Sequence, residues 1–116
     1  MKKKLSANEW GAMRQEIFDA WNKKNMGVVC QNCGQKPASE LHHGIVGRKK
    51  GYTILDHKCN LLPVCHDCNY SRVLDNYAGR QKVWRMMVDM WGQSVMDEWL
   101  ILVNLEFTIS PFKPEY

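Results

Sequence analysis

Two Cys-x-x-Cys pairs constrain this chain more than any other feature of its sequence. Cys30 pairs with Cys33 and Cys65 pairs with Cys68, and 31 residues separate the two pairs. Four thiolates presented by two tight turns can close a tetrahedron around one zinc ion. Two disulfides or a thioredoxin-like redox motif are the alternatives. The spacing favours a structural zinc site with these four cysteines as ligands.

The size and the N-terminus of the chain support this interpretation. A length of 116 residues fits one domain, residues 1–116, with a modest core that a bound metal would help to stabilise. There is no apolar run of about 18 residues, so we expect no membrane partner. The basic N-terminus has no apolar segment behind it, which predicts no signal peptide and a cytoplasmic location. In that reducing compartment paired cysteines are metal ligands more often than disulfides, and Cys59 is expected to be a small buried hydrophobe.

Local patterns divide the chain into three segments. In residues 1–27, Ser6 and Glu9 form a capping box ahead of a helix with one apolar face. In residues 28–79, short strands are predicted at Glu40–His43 and at residues 52–56, followed by a helix over about residues 67–77. In residues 80–116, one long helix over residues 80–104, slightly bent at Gly92, precedes an extended tail.

Charge is distributed unevenly. Residues 1–85 carry a net charge of +8 and residues 86–116 carry −4, which gives the overall +4. A basic body predicts a polyanionic partner such as nucleic acid. The loop cluster of Arg48, Lys49 and Lys50, and the lysines at positions 2–4, would grip backbone phosphates without reading bases.

Polar residues with a specific order lie within this frame. His42 and His43 are adjacent, Asn60 follows them, and Asn69 comes directly after Cys68. The order CxxC, then "LHH", then "NLLPVCHDCN" resembles the HNH endonuclease family, in a variant whose last motif position is Asn. The closing "CxxCN" also resembles the phage recombination endonuclease VII group. The resemblance covers about residues 30–76, and it implies DNA as the partner and, for a phage protein, the bacterial host cytoplasm.

The resemblance implies a fold and a set of roles. The fold would be α+β, with a small ββα-metal core on a four-cysteine zinc site, flanked by an N-terminal helix and a long C-terminal helix. His43 matches the general base and Asn60 the residue that pins the loop. His42 and Asn69 match the ligands of a catalytic Mg²⁺ or Mn²⁺, with Ni²⁺ or Zn²⁺ also acceptable to an imidazole. Many HNH enzymes carry a further His where this chain has Val73.

The chemistry of these residues suits phosphodiester hydrolysis. Imidazole has an ordinary pKa near neutrality, as a general base requires, and a cation stabilises charge developing on the phosphate. Arg72, one turn beyond Asn69, is a candidate contact to the scissile phosphate, whereas His57 and His66 are expected to be surface residues. A metal-dependent DNA endonuclease is therefore predicted.

Two alternatives stay open. One is a non-catalytic zinc-ribbon protein that binds nucleic acid. The other is a protein-interaction module built on residues 80–104. The Trp and Met side chains of that helix favour core packing, with homodimerisation through the C-terminal helix as a further alternative.

Overall fold

Helices and one small sheet alternate along the chain. A computed structural model describes residues 4–115, so Lys2 and Lys3 of the predicted basic arm lie outside the described residues. Within them the expected α+β class is confirmed. The elements are α1 (Ala7–Asn25), β1 (Glu40–His43), β2 (Leu61–Val64), α2 (His66–Ser71), α3 (Tyr77–Trp91) and α4 (Gln93–Glu106).

The first helix follows the predicted pattern. The Ser6 hydroxyl accepts from the Glu9 N–H, and the Glu9 carboxylate accepts from the Ser6 N–H, which completes the capping box. The helix ends at Asn25, and Met26 then adopts the left-handed conformation. Its apolar face packs against β2, where Ile17 and Trp21 are buried.

The sheet contains β1 at the predicted residues, but its partner strand lies elsewhere. β1 pairs antiparallel with β2, so that Glu40 lies opposite Val64 and His43 opposite Leu61. The strand predicted at residues 52–56 is wrong, because Thr53–Leu55 forms one 3₁₀ turn. All four residues of β2 are buried. A strand that is buried on both faces has a continuous apolar sequence. For this reason "LLPV" lacks the alternation of apolar and polar residues that marks a half-exposed strand.

The helix after the second cysteine pair is shorter than predicted. α2 ends at Ser71 because Arg72 adopts the left-handed conformation, with φ of 57°. Asn76 then caps α3 by accepting from the Gly79 N–H. Gly79 does not end a helix. Because it has no side chain, it lets the backbone of Leu74 pack closely against α3. A Cβ at position 79 would lie 2.2 Å from the Leu74 carbonyl oxygen. The predicted segment boundary at residue 79 therefore falls inside α3.

The single C-terminal helix predicted over residues 80–104 is two helices in the structure. Gly92, with φ of 99° and ψ of 150°, separates α3 from α4, which pack against each other. A sequence periodicity continues across this break because both helices bury one face in the same core. That shared core includes Val83, Trp84, Met87, Met96, Trp99 and Val103. The Trp and Met side chains of α3 and α4 therefore pack mainly in the core.

One face of α4 stays exposed. Ile101, Leu102 and Leu105 are more than half exposed there. Homodimerisation through this C-terminal helix remains a prediction. None of the helices formed by the described residues has the length and apolar character needed to cross a membrane.

Candidate functional site

The four predicted cysteine ligands come together in one cluster. The Sγ atoms of Cys30, Cys33, Cys65 and Cys68 all lie within 4.8 Å of one another. The first pair lies in a turn closed by a bridge between Val29 and Pro37, just before β1. Gly34 makes this turn possible with φ of 65°, and its N–H donates to the Cys30 carbonyl oxygen. The four cysteines are positioned to bind one metal ion.

The second pair begins a helix. Cys65 is the N-cap residue of α2, and its Sγ accepts from the Cys68 N–H at 3.5 Å. The first pair repeats this pattern, with the Cys33 N–H donating to Cys30 Sγ at 3.4 Å. Such bonds orient the sulfurs and stabilise thiolates. The site therefore connects the turn before β1 with the first turn of α2.

The electrostatics of the cluster fit a divalent cation. Burial opposes ionisation of Cys30, but N–H groups of the surrounding backbone outweigh it and lower the pKa of this thiol to about 6. The Asn32 amide favours the thiolate of Cys68, yet burial and the neighbouring cysteines raise the pKa of Cys68 to about 12. Four sulfurs this close cannot all be thiolates without a compensating cation. Four soft sulfur donors in this arrangement suit zinc.

A cavity of about 700 Å³ has Asn69, the residue after Cys68, in its lining. It lies where the end of β1 meets the first turn of α2. Its polar lining combines the predicted site residues with further charged side chains: His42, His43, Asn69, Asp56, Asp75, Lys4, Arg48 and Arg72.

His42 and Asn69 contact each other inside the cavity. His42 Nδ1 lies 2.9 Å from Asn69 Oδ1. The Asn69 amide is oriented by Glu40, whose Oε1 accepts from Asn69 Nδ2 at 2.7 Å. Neighbouring ligands of an octahedral ion lie about 3 Å apart when metal–ligand distances are about 2.1 Å. The predicted ligand pair has that spacing.

His43 reaches the same cavity with its own carboxylate partner. Its Nε2 lies 2.7 Å from Asp56 Oδ1. Burial lowers the pKa of His43 below its ordinary value, although Asp56 opposes the shift, and Arg48 adds to the lowering. The lowered pKa favours the neutral imidazole, which is the form that can accept a proton. Asp56 was missed by the sequence reasoning, because it ended a segment interpreted as a strand and no spacing marks it.

Asn60 fixes the loop that follows His43. It is fully buried, and its Oδ1 accepts from the N–H groups of Ile45 and Val46 at 3.0 and 2.9 Å. Its Nδ2 donates to the carbonyl oxygens of Val46 and Leu55, both at 2.9 Å. One side chain thus ties the loop after β1 to the start of β2.

The predicted basic residues divide into two groups. Arg48 and Arg72 line the cavity, although Arg72 follows the end of α2 instead of continuing its face. Lys49 lies over the rings of Tyr52 and Phe107, with its Nζ 5.3 and 5.5 Å from their centroids. Lys50 is exposed and is not part of the cavity lining.

The remaining histidines, His57 and His66, are not among the residues that line the cavity. His66 is exposed as expected and bonds to Glu40. The expectation for His57 was wrong, since it is half-buried near Trp99 and its Nδ1 accepts from the Cys59 N–H. Cys59 itself is buried, as predicted.

The structure thus defines a small α+β domain with four cysteines positioned to bind a metal ion and a charged cavity lined by residues of β1 and α2. Comparisons of the chain with family models, with curated proteins and with solved structures gave no match. The function must therefore be argued from the site itself.

Proposed function

We propose that the protein is a metal-dependent DNA endonuclease that hydrolyses phosphodiester bonds with His43 as general base. The observation that carries the proposal is the pairing of His43 with Asp56 in the cavity that also holds His42 beside Asn69. The resemblance of the motif to the HNH family supports it, and the order β1, β2, α2 is compatible with a ββα-metal core.

His43 is suited to activate water. When its Nε2–H donates to Asp56, its Nδ1 is the acceptor nitrogen. The carboxylate fixes the ring orientation and the tautomer, while burial keeps the ring neutral. A water attacking phosphorus would lose its proton to Nδ1. A positioned base of this kind accelerates proton transfer by about 10²- to 10⁴-fold.

His42 and Asn69 would hold the catalytic Mg²⁺ or Mn²⁺. One imidazole nitrogen and one amide oxygen leave most coordination positions for water and phosphate, which is how Mg²⁺ is usually bound. Such a cation stabilises the negative charge that develops on the phosphate and the leaving oxygen. The four-cysteine group has no open position, so its zinc would be structural.

The rim of the cavity supplies contacts to the DNA backbone. Arg48, Arg72 and Lys4 all line it. Side chains of this type bind phosphates without reading bases, so specificity would depend on DNA shape. Asp56 and Asp75 leave the cavity mixed in charge, which suits a site that must hold both a cation and a polyanion.

The test is cleavage of supercoiled, linear and branched DNA by the zinc-loaded chain, with and without added Mg²⁺ or Mn²⁺. We expect cation-dependent cleavage, and a His43→Ala rate lower by about 10²- to 10⁴-fold with DNA binding and zinc content retained. His57→Gln, at a half-buried histidine outside the cavity lining, should cleave normally. DNA binding without cation-stimulated cleavage of any form would support the zinc-ribbon alternative instead.

A further inference from the structure

The ring of His42 has a second edge that points away from Asn69 and meets a carboxylate. Its Nε2 lies 3.3 Å from Asp75 Oδ1. The side chain of His42 is only 7 % exposed, and Nε2 makes no hydrogen bond of normal geometry with any residue from 4 to 115. A buried ring nitrogen beside a carboxylate calls for an explanation, because neither group gains from desolvation alone.

The path of the backbone after α2 brings Asp75 next to His42 Nε2. Arg72 turns the backbone with its left-handed conformation, and the Asp75 N–H donates to the Arg72 carbonyl oxygen. Arg80 of α3 anchors the carboxylate, with its Nη2 3.4 Å from Asp75 Oδ1 and its Nη1 donating to the Ile45 carbonyl oxygen. Val73, in contrast, is half exposed and is not part of the cavity lining.

The hydrogen-bond acceptors around His42 limit what each of its ring nitrogens can do. Because Asn69 Nδ2 donates to Glu40, the atom that faces His42 Nδ1 is an oxygen, which can only accept. The Asp75 carboxylate can also only accept, so it stabilises a proton on Nε2. With the proton there, Nδ1 directs a lone pair toward Asn69 Oδ1. Two acceptors 2.9 Å apart repel unless a positive charge lies between them, and that charge is either a second ring proton on Nδ1 or a metal ion.

We infer that Asp75 is a positioning residue, which holds the Nε2–H of His42 and thereby presents Nδ1 to the divalent cation shared with Asn69. This inference rests on the proposed function, because the cation is the one that the nuclease would use. Histidine ligands of metals usually donate their other N–H to such an outer carboxylate or carbonyl, and loss of that partner typically costs about 10- to 100-fold in metal affinity.

The experiment measures Mn²⁺ binding to the zinc-loaded chain without DNA, from the electron paramagnetic resonance signal of free Mn²⁺. Asp75→Ala should weaken Mn²⁺ binding by about 10- to 100-fold. Asp75→Asn keeps an oxygen acceptor for Nε2–H and should recover most of that loss. Asp89→Ala, which removes an exposed carboxylate paired with Lys24, should bind Mn²⁺ as the wild type does.

Other outcomes separate this inference from the proposed function. Wild-type affinity in Asp75→Ala, or an Asp75→Asn affinity as low as that of Asp75→Ala, would overturn the positioning role. If the wild type binds no Mn²⁺, or if His42→Ala binds it normally, the proposed cation site itself fails. Zinc content reports whether each variant folds.

The tautomer of His42 gives a readout that needs no variant. Nitrogen-15 NMR of the wild type loaded with Mg²⁺ should show the His42 proton on Nε2. A proton on Nδ1 would contradict the inference.

Discussion

At the scale of single residues, the loop after β1 depends on buried polar groups whose hydrogen bonds are complete. Asn60 is the main example, since both of its side-chain atoms bond to backbone groups of neighbouring loops. A buried amide of this kind is favourable only while its partners stay in place. It therefore holds the loop beside His43 in one conformation.

Replacing Asn60 by alanine should destabilise the fold strongly. The N–H groups of Ile45 and Val46 would lose their shared acceptor, and each unsatisfied buried group costs about 1–3 kcal/mol. We expect the free energy of unfolding to fall by about 3 kcal/mol or more, measured by urea denaturation. Asn104→Ala, at an exposed asparagine, should change it by less than about 0.5 kcal/mol. Equal urea midpoints for the two variants would show that Asn60 does not carry the loop.

Cys59 should behave unlike an ordinary free thiol. Burial raises its pKa to about 12, although nearby Lys58 works in the opposite direction. Because the thiolate is the reactive form, we expect no alkylation of Cys59 by iodoacetamide in the native zinc-loaded chain and complete alkylation after unfolding in urea. Peptide mass spectrometry identifies the modified residue. Rapid labelling of Cys59 in the native chain would mean that this part of the core opens readily.

At the scale of elements, the break at Gly92 has a direct test in a pair of glycines. A Cβ at Gly92 or at Gly11 would meet no atom within 4 Å, so backbone conformation alone should decide the effect of alanine. Gly92 has φ of 99°, where a side chain costs about 1–3 kcal/mol, whereas Gly11 lies inside α1, where alanine gains about 0.5–1 kcal/mol. Gly92→Ala should therefore lower the melting temperature and Gly11→Ala should raise it. Stabilisation by Gly92→Ala would instead indicate one continuous helix.

Local signals in the sequence predicted part of this architecture. The capping box at Ser6, the strand at Glu40–His43 and the four-cysteine group each depend on residues close together or on a fixed spacing, and all three are present. The ends of α2 and α3 could not be predicted in the same way. They depend on the φ angles of Arg72 and Gly92, which apolar periodicity does not encode.

The carboxylates that face the two histidines in the cavity could not be predicted from the sequence either. Asp56 and Asp75 belong to turns, and only the tertiary fold brings them to His43 and His42. Their sequence separation from the histidines follows no motif. The motif thus pointed to His42 and Asn69, which are in contact, and the fold brings a carboxylate to each of the two histidines.

At the scale of the whole molecule, the four-cysteine group connects parts of the chain that the small sheet alone would hold weakly. We expect one zinc per chain by elemental analysis. Removing it should unfold the region from the first cysteine turn to α2, because a structural zinc contributes about 10–16 kcal/mol, more than most domains have in total stability. Cys65→Ser should lose zinc and helical circular dichroism, and Cys59→Ala should retain both. A zinc-free chain with an unchanged melting curve would show that the cysteines do not stabilise the fold.

The affinity for DNA should depend on the basic side chains that line the cavity and not on the number of basic residues in the loop. Arg48 lines the cavity, whereas the ammonium group of Lys49 lies over two aromatic rings. In a His43→Ala background without added Mg²⁺, Arg48→Ala should weaken binding and reduce the slope of log Kd against log salt by about 1, as expected for one lost phosphate contact. Lys49→Ala should leave the slope nearly unchanged. Fluorescence anisotropy of a labelled duplex across a KCl series measures both. Equal effects of the two substitutions would mean that the whole loop binds DNA, so the backbone path would extend beyond the cavity.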